Sequence, residues 1–137
     1  MRLLLLPVLA ALAACQTAGD VPPTSETAKT VTLNGSVAYR QRIALPPNAH
    51  LQVTIADVSL MDAPAKVIAR TEIETAGRQV PIPFALDYDR TRIMAGHRYA
   101  VSARITDTAG KLIWITDTHF ELPAPGQPAN LMLVPVP

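Results

Sequence analysis

The residue types that could carry out chemistry in this chain are three histidines, one cysteine and a few closely spaced acidic residues. His50, His97 and His119 lie far apart in the sequence, each at a predicted strand end or at an outward-facing position. A zinc site usually needs close ligand pairs, such as histidines two or four residues apart. The sequence contains no such pair, so we expect these three histidines to be solvated side chains.

Two short acidic motifs lack the neighbours that a site would need. Asp87 and Asp89 lie two residues apart, but a calcium loop requires further carboxylates at set spacings. Asp57 and Asp62 bracket Ser59, yet no histidine is near in sequence and the Gly-x-Ser-x-Gly turn of a serine hydrolase is missing. The six glycines are scattered singly, which excludes a glycine-rich phosphate loop. We therefore expect no catalytic residue, no metal, no cofactor and no small-molecule substrate.

Cys15 is the one residue whose surroundings define a chemistry. It ends the sequence LAAC (residues 12–15) and follows Met1, Arg2 and an apolar run of eleven residues. This run is shorter than the about 20 residues that a membrane-spanning helix needs, and it has the proportions of a signal peptide. The pattern resembles the lipobox of bacterial lipoprotein precursors. That resemblance implies cleavage before Cys15, a diacylglyceryl group on its thiol and an acylated new amine.

These features divide the chain into three predicted parts. Residues 1–14 are the lipoprotein signal peptide, and residues 15–29 carry the lipidated cysteine and a flexible tether of small, polar and proline residues. Residues 30–137 have the size of one folded domain. Gln16 stands where many lipoproteins retained at the inner membrane carry aspartate. It resembles an outer-membrane signal, so we expect a lipid-anchored outer-membrane protein that faces the periplasm.

The charge of the predicted mature chain is balanced. Once Arg2 is removed with the signal peptide, 11 basic and 11 acidic residues remain. This balance argues against nucleic acid as a partner and against a membrane surface held by charge alone. Contact with the membrane is therefore predicted through the lipid anchor. With Cys15 acylated, no thiol remains for a disulfide or a metal thiolate.

The folded part shows β patterning throughout. Seven segments have the period-two alternation or the β-branched content of strands, namely residues 30–39, 50–60, 66–75, 79–86, 98–106, 111–120 and 130–136. No segment has a convincing helical pattern. This organisation predicts an all-β fold, an antiparallel β-sandwich of about seven strands with an immunoglobulin-like or transthyretin-like arrangement.

Alternation also predicts which side chains are buried. Odd-numbered positions are expected to face the core in residues 51–55, 67–73 and 99–105. The alternation loses its phase beyond Ile55, which predicts a β-bulge near Ala56 and Asp57. Trp114 and Phe84 are the bulky residues that we expect in the core.

Prolines and arginines mark the predicted edges and surfaces. Pro81 and Pro83 cannot donate ladder hydrogen bonds, so residues 79–86 are predicted to form an edge strand. Residues 76–78 are a candidate hairpin turn, and residues 87–97 a connection. The pairs Arg40/Arg42 and Arg90/Arg92 could grip a carboxylate-bearing partner, although a solvated outer face explains them as well.

A set of motifs extends through most of the predicted domain: GSVAYRQRIALPP (35–47), VTIADVSL (53–60), APAKVIA (63–69), QVPIPF (79–84), HRYAVSARI (97–105) and WITDT (114–118). Together they resemble the YbaY family of lipoproteins, which is grouped with the YscW-like type III secretion lipoprotein chaperones. The resemblance covers residues 31–122. It implies a periplasm-facing β-sandwich lipoprotein without known catalysis.

For the YscW branch, the resemblance also implies a pilotin role, in which the lipoprotein binds a secretin subunit and guides it to the outer membrane. The expected function is therefore to bind or chaperone an envelope protein. No partner-binding residues can be carried over from a family motif. Two alternatives remain open at this point: a general structural or stress lipoprotein without a dedicated partner, and an inhibitor of a periplasmic enzyme.

Overall fold

The computed structural model describes residues 29–137 and shows seven strands and one short 3₁₀ turn in this part of the chain. The strands are β1 (Thr30–Tyr39), β2 (His50–Asp57), β3 (Lys66–Glu74), β4 (Ile82–Asp89), β5 (Tyr99–Thr106), β6 (Leu112–Ile115) and β7 (Ala129–Pro135), and the 3₁₀ turn is Arg90–Arg92. The prediction of an all-β fold with about seven strands is confirmed. Cys15 and the predicted signal peptide lie outside the described residues.

The strands form one sheet in the order β3-β2-β5-β6-β7-β1-β4. It consists of two halves, β3-β2-β5-β6 and β7-β1-β4, which are joined where β6 meets β7. The edge strands β3 and β4 pack against each other. The sheet therefore forms a nearly closed barrel, and its two halves enclose a single core.

The core contains the inward-facing residues of every strand. Alternation predicts the buried face of β2 and β5 correctly, since residues 51, 53 and 55 and residues 99, 101, 103 and 105 are all buried. Trp114 and Phe84 are buried as predicted. Because apolar burial is the main favourable term in folding, this shared core is what holds the two halves of the sheet together.

The predicted bulge is present, but the extra residue lies on the partner strand. Ile55 faces Ala69 and Ala56 faces Val67, so Ile68 of β3 is left without an opposite residue. A one-residue insertion reverses the faces beyond it. Ile68 is consequently buried and Val67 is exposed, which corrects the prediction that Val67 faces the core.

The boundaries of β4 and β6 differ from the predicted ones. β4 continues to Asp89 because Tyr88 extends the buried series of its even-numbered residues, so only part of residues 87–97 is a connection. β6 ends at Ile115 instead of residue 120. The turn at residues 76–78 is not a hairpin, since β3 pairs with β2 and β4 pairs with β1. The edge position predicted for the proline-bearing strand β4 is confirmed.

One strand pair departs from the predicted antiparallel pattern. Five pairs are antiparallel, whereas β1 and β7 are parallel, with Gly35 opposite Ala129 and Tyr39 opposite Leu133. A β-carbon at position 35 would overlap the carbonyl oxygen of Ala129 and come within 2.7 Å of the Phe84 ring. Glycine is therefore required where β7 joins β1.

Candidate functional site

The sheet is interrupted between β6 and β7. β7 pairs with β1 from Ala129 to Leu133, but it pairs with β6 only through Trp114–Pro135 and Ile115–Val134. Beyond Ile115 the chain leaves β7 and follows β5, where Thr116 N donates to Ala103 O at 3.0 Å. Residues 116–120 and 130–133 therefore diverge. No backbone hydrogen bond joins these two segments in the described part of the chain.

Thr116 is the first residue beyond β6, and its side chain bonds to β5. Its hydroxyl accepts a hydrogen bond from Ala103 N at 3.2 Å and lies 3.4 Å from Ala103 O. The side chain thus accepts from Ala103 N, a donor of β5 that a regular strand would bind with its own carbonyl oxygen. Threonine favours such local side-chain to backbone bonds, and they help to end β6 after only four residues.

The gap forms a groove of about 370 Å³, which we call the β7 groove. Three segments line it: residues 40–41, residues 116–120 and residues 130–134. Because neighbouring residues of a strand direct their backbone groups to opposite edges, about half of these groups in residues 130–133 face the groove instead of β1. An unpaired strand edge of this kind is a template for another chain.

The side chains of the β7 groove combine apolar and polar contacts. Met132 is half exposed on its rim, and Phe120 is partly buried at its side. Arg40 and Asp117 contribute opposite charges at its border. Asn130 accepts a hydrogen bond from Ser36 Oγ at 3.1 Å, which fixes its amide group beside the groove. This mixture suits a short polypeptide segment, since such sites use main-chain edges and side-chain pockets together.

A pair of stacked rings supports this region from inside. The rings of Tyr39 and Trp114 are parallel within 5° and their centroids are 3.8 Å apart. The Tyr39 hydroxyl donates to the carbonyl oxygen of Ile43, and burial raises the pKa of this hydroxyl, which therefore remains a neutral donor. The bond fixes the bend after β1 and places Arg40 beside the groove.

A second polar cluster lies where β2 ends and β5 begins, and it joins Asp57, Ser59 and His97. Asp57 accepts hydrogen bonds from Ser59 N at 2.9 Å and Ser59 Oγ at 2.6 Å, and its other oxygen is 2.7 Å from His97 Nδ1. These bonds, with those from Ser59 first, lower the pKa of Asp57 to about 2. His97 is exposed, in agreement with the prediction, but it also contacts a carboxylate, which was not predicted.

This cluster does not have the geometry of a serine hydrolase. In such enzymes the serine hydroxyl donates to the imidazole, which is held in turn by the carboxylate. Here Ser59 Oγ donates to Asp57 and accepts from Arg98 N at 2.7 Å. Ser59 and His97 both hydrogen-bond to the carboxylate of Asp57. The cluster therefore links the β2–β3 connection to the segment before β5. Sequence inspection could not find it, because Asp57 and His97 are 40 residues apart.

The other predicted site residues do not converge. Asp87 accepts from the Thr32 hydroxyl at 2.5 Å, whereas Asp89 accepts from Thr91 N and Thr91 Oγ1. The hydrogen bonds from Thr91 lower the pKa of Asp89. His50 lies at the start of β2, and His119 lies in the segment after β6. Residues 29–137 bring no three potential metal ligands together.

The arginine pairs lie outside the strands. Arg40 and Arg42 follow the end of β1, and Arg90 and Arg92 belong to the 3₁₀ turn, so neither pair lies on a strand. Arg92 is committed within the fold, because it donates to Ile68 O at 2.9 Å and Val67 O at 3.4 Å. Arg92 therefore links the turn after β4 to the bulge of β3. Within residues 29–137, no helix is long and apolar enough to cross a bilayer.

Comparison with known proteins assigns this chain to a family. Residues 28–133 match the family described as type III secretion system lipoprotein chaperone (YscW). The chain is 43% identical over 105 residues to the uncharacterized lipoprotein YbaY of Escherichia coli K12, a match that covers 76% of this chain and 55% of that protein. The chain thus spans about half the length of this relative.

A solved structure agrees with that result. The alternative pilotin from the type II secretion system of Vibrio cholerae shares 51% sequence identity with this chain and superposes with a TM-score of 0.74. The match covers 79% of this chain and 98% of the pilotin chain. The chain belongs to the YbaY/YscW-like family of lipoproteins.

Proposed function

We propose that this protein is an envelope lipoprotein, anchored through Cys15 in the outer membrane, whose periplasm-facing domain binds and chaperones an envelope protein such as a secretin subunit. Membership of a lipoprotein chaperone family and similarity to a pilotin support this proposal. The observation that carries it is the β7 groove, where the sheet is interrupted and a strand edge is left unpaired.

The β7 groove suits a short segment of a partner protein better than a small molecule. It lies open along a strand, and its polar groups are spread over three separate segments. Small-molecule sites are usually concave and enclose most of the ligand surface. A polypeptide segment can instead satisfy the free backbone edge of β7 while its side chains contact Met132 and Phe120.

The predicted tether contributes to this function through confinement. Residues 16–29 would give an r.m.s. reach on the order of 20 Å. A domain held that close to the membrane meets membrane-bound partners at a raised effective concentration. A partner without a lipid anchor of its own would be held at the outer membrane through its contact with this anchored protein.

Affinity capture of the full-length protein from detergent-solubilised envelopes tests the groove. Met132→Glu places a charge on its exposed rim, and Ala85→Glu is the matched control because Ala85 is an exposed strand position on β4, beyond β1. We expect a secretin subunit to be enriched with the wild type and with Ala85→Glu but lost with Met132→Glu. Equal enrichment with all three would contradict the groove, and none above the untagged control would contradict the chaperone function.

The anchor has its own test. Cys15→Ala removes the thiol that the lipid requires, so the protein should leave the membrane fraction or accumulate as the uncleaved precursor. Fractionation followed by immunoblotting measures both outcomes. Membrane association that is unchanged in Cys15→Ala would show that the LAAC sequence is not an anchoring signal.

A further inference from the structure

The fold gathers four separate segments at the end of the barrel where the predicted tether arrives. β1 begins at Thr30, opposite Asp89 at the end of β4, while Asp57 at the end of β2 is opposite Tyr99 at the start of β5. We call this the tether-proximal end and define it as residues 29–30, 57–67, 89–98 and 121–128. The hairpin at residues 107–110 lies at the far end, because it follows β5.

This end carries most of the exposed large apolar side chains of the described residues. Four of the six are here, namely Leu60 at 71% exposure, Met61 at 97%, Val67 at 40% and Met94 at 59%. The remaining two, Ile43 and Met132, lie elsewhere on the barrel. Concentration of exposed apolar side chains on one surface indicates a contact with a protein or a membrane.

The segments that carry these residues are held in place. Val58 N donates to Arg98 O at 2.9 Å, and Ser59 Oγ accepts from Arg98 N at 2.7 Å. Asp57 and His97 join the same two connections. Leu60 and Met61 therefore project from an anchored connection, next to the one that bears Met94.

The charges of this end fit a lipid interface. The basic residues of the tether-proximal end are Lys29, Lys66, Arg90, Arg92 and Arg98, and the acidic ones are Asp57, Asp62, Asp89 and Glu121. Hydrogen bonds within the fold stabilise the charged forms of Asp57 and Asp89, so this end carries five cations and four carboxylates. Lys66, Arg90 and Arg98 are exposed, as are Asp62 and Glu121. Exposed cations beside apolar side chains are typical of a surface that rests among lipid headgroups.

We propose that the tether-proximal end rests on the bilayer, with Leu60, Met61 and Met94 inserted among the lipid headgroups. The membrane is the occupant because the chain between Cys15 and the domain ends at this surface, so the anchor brings this end closer to the lipid layer than the far end. This inference rests on the anchor of the proposed function. It orients the domain so that the β7 groove lies on the side of the barrel and the far end points into the periplasm.

A depth measurement on the full-length lipoprotein, reconstituted in phosphatidylethanolamine/phosphatidylglycerol vesicles, tests the orientation. Cys15 is acylated, so Met61→Cys or Ala109→Cys provides a single thiol for an environment-sensitive fluorophore. Ala109 is an exposed position of the far hairpin and serves as the control. We expect a blue shift and severalfold stronger quenching by spin-labelled lipids at position 61 than at position 109.

Flotation of the vesicles separates the possible failures. Protein that does not float would contradict the anchor and this inference together. Protein that floats with equal, weak quenching at positions 61 and 109 would overturn the bilayer contact alone. A label at position 61 that responds to an added envelope extract but not to lipid quenchers would also overturn it, because the surface would then bind a protein. Leu60→Ser should reduce quenching at position 61 without reducing flotation.

Discussion

Asp57 links two connections that are distant in sequence through hydrogen bonds. Its carboxylate is bonded by Ser59 from the β2–β3 connection and by His97 from the segment before β5. An ionised carboxylate is a stronger acceptor than a neutral one. The cluster therefore depends on the charge of a single side chain, and its strength should depend on pH.

Acidification should weaken this cluster within a defined pH range. The pKa of Asp57 lies near 2 in the folded protein and has a usual value of 3.8. Stability from its ionised form is therefore present above about pH 4 and is lost as the pH falls toward 2. We expect Asp57→Asn to lower the free energy of unfolding at pH 7, and this difference to disappear near pH 2.

Urea unfolding of both proteins at several pH values measures this effect. Asp62→Asn is the control, because Asp62 is an exposed carboxylate of the same connection. We expect a small difference for Asp62→Asn that changes little with pH. A deficit of Asp57→Asn that is as large at pH 2 as at pH 7 would mean that the ionised carboxylate is not what holds the connections together.

Thr75 presents the opposite situation, a polar group that the fold leaves unsatisfied. It is fully buried after β3, and its hydroxyl has no hydrogen-bond partner within residues 29–137. Burying an unpaired hydroxyl costs free energy. Thr75→Val keeps the shape and removes that group, so we expect the free energy of unfolding to rise by about 1 kcal/mol.

The same substitution at Thr116 should act in the other direction. The Thr116 hydroxyl bonds to backbone groups of Ala103, so Thr116→Val should lower the free energy of unfolding by about 1 kcal/mol. Chemical denaturation of both variants gives the comparison. Destabilisation by Thr75→Val of the size found for Thr116→Val would show that the Thr75 hydroxyl does have a partner.

At the level of the elements, the parallel contact between β1 and β7 is packed so closely that it leaves no room for a side chain at position 35. Gly35→Ala would force a methyl group into the carbonyl oxygen of Ala129 and the ring of Phe84. Inserting atoms into a closely packed contact costs typically 1–3 kcal/mol. Because one of the obstructing atoms belongs to the backbone of β7, we expect a loss of about 3 kcal/mol in the free energy of unfolding.

Asn34→Ala is the matched control for this junction, since Asn34 is exposed on the same strand. Its effect should stay within about 0.5 kcal/mol, as is usual for exposed positions. Thermal unfolding followed by circular dichroism distinguishes the two. Similar midpoints for both variants would mean that β7 moves away from β1 at little cost.

Strand patterning explains why some elements could be predicted and others could not. Alternation reports which side of a strand is apolar, so the buried faces of β2 and β5 follow from the sequence. It does not report which strand lies alongside, and β7 looks the same whether it runs parallel or antiparallel to β1. The β7 groove and the Asp57–His97 contact both depend on such neighbours. The bulge illustrates this limit. The alternation in β2 indicates where the register shifts, but the extra residue, Ile68, belongs to the neighbouring strand β3.

For the molecule as a whole, one shared core predicts cooperative unfolding. Both halves of the sheet bury their apolar residues against each other, and Trp114 is the single tryptophan of the chain. Trp114 fluorescence reports on the β6–β7 junction, whereas far-ultraviolet circular dichroism reports on all strands. We expect both signals to change with the same midpoint in urea, as in a two-state transition. An earlier fluorescence midpoint would show that the halves separate before they unfold.

The parallel pairing of β7 also has a consequence for timing. Ser36 and Asn130, which touch across this junction, are 94 residues apart, and translation delivers β7 after the other six described strands. Contacts between such distant residues form late, since the chain must first be brought together over that distance. Until then, both half-sheets expose the apolar faces that will form the core. The interval before β7 joins β1 is therefore the stage at which the folding chain is most prone to aggregation.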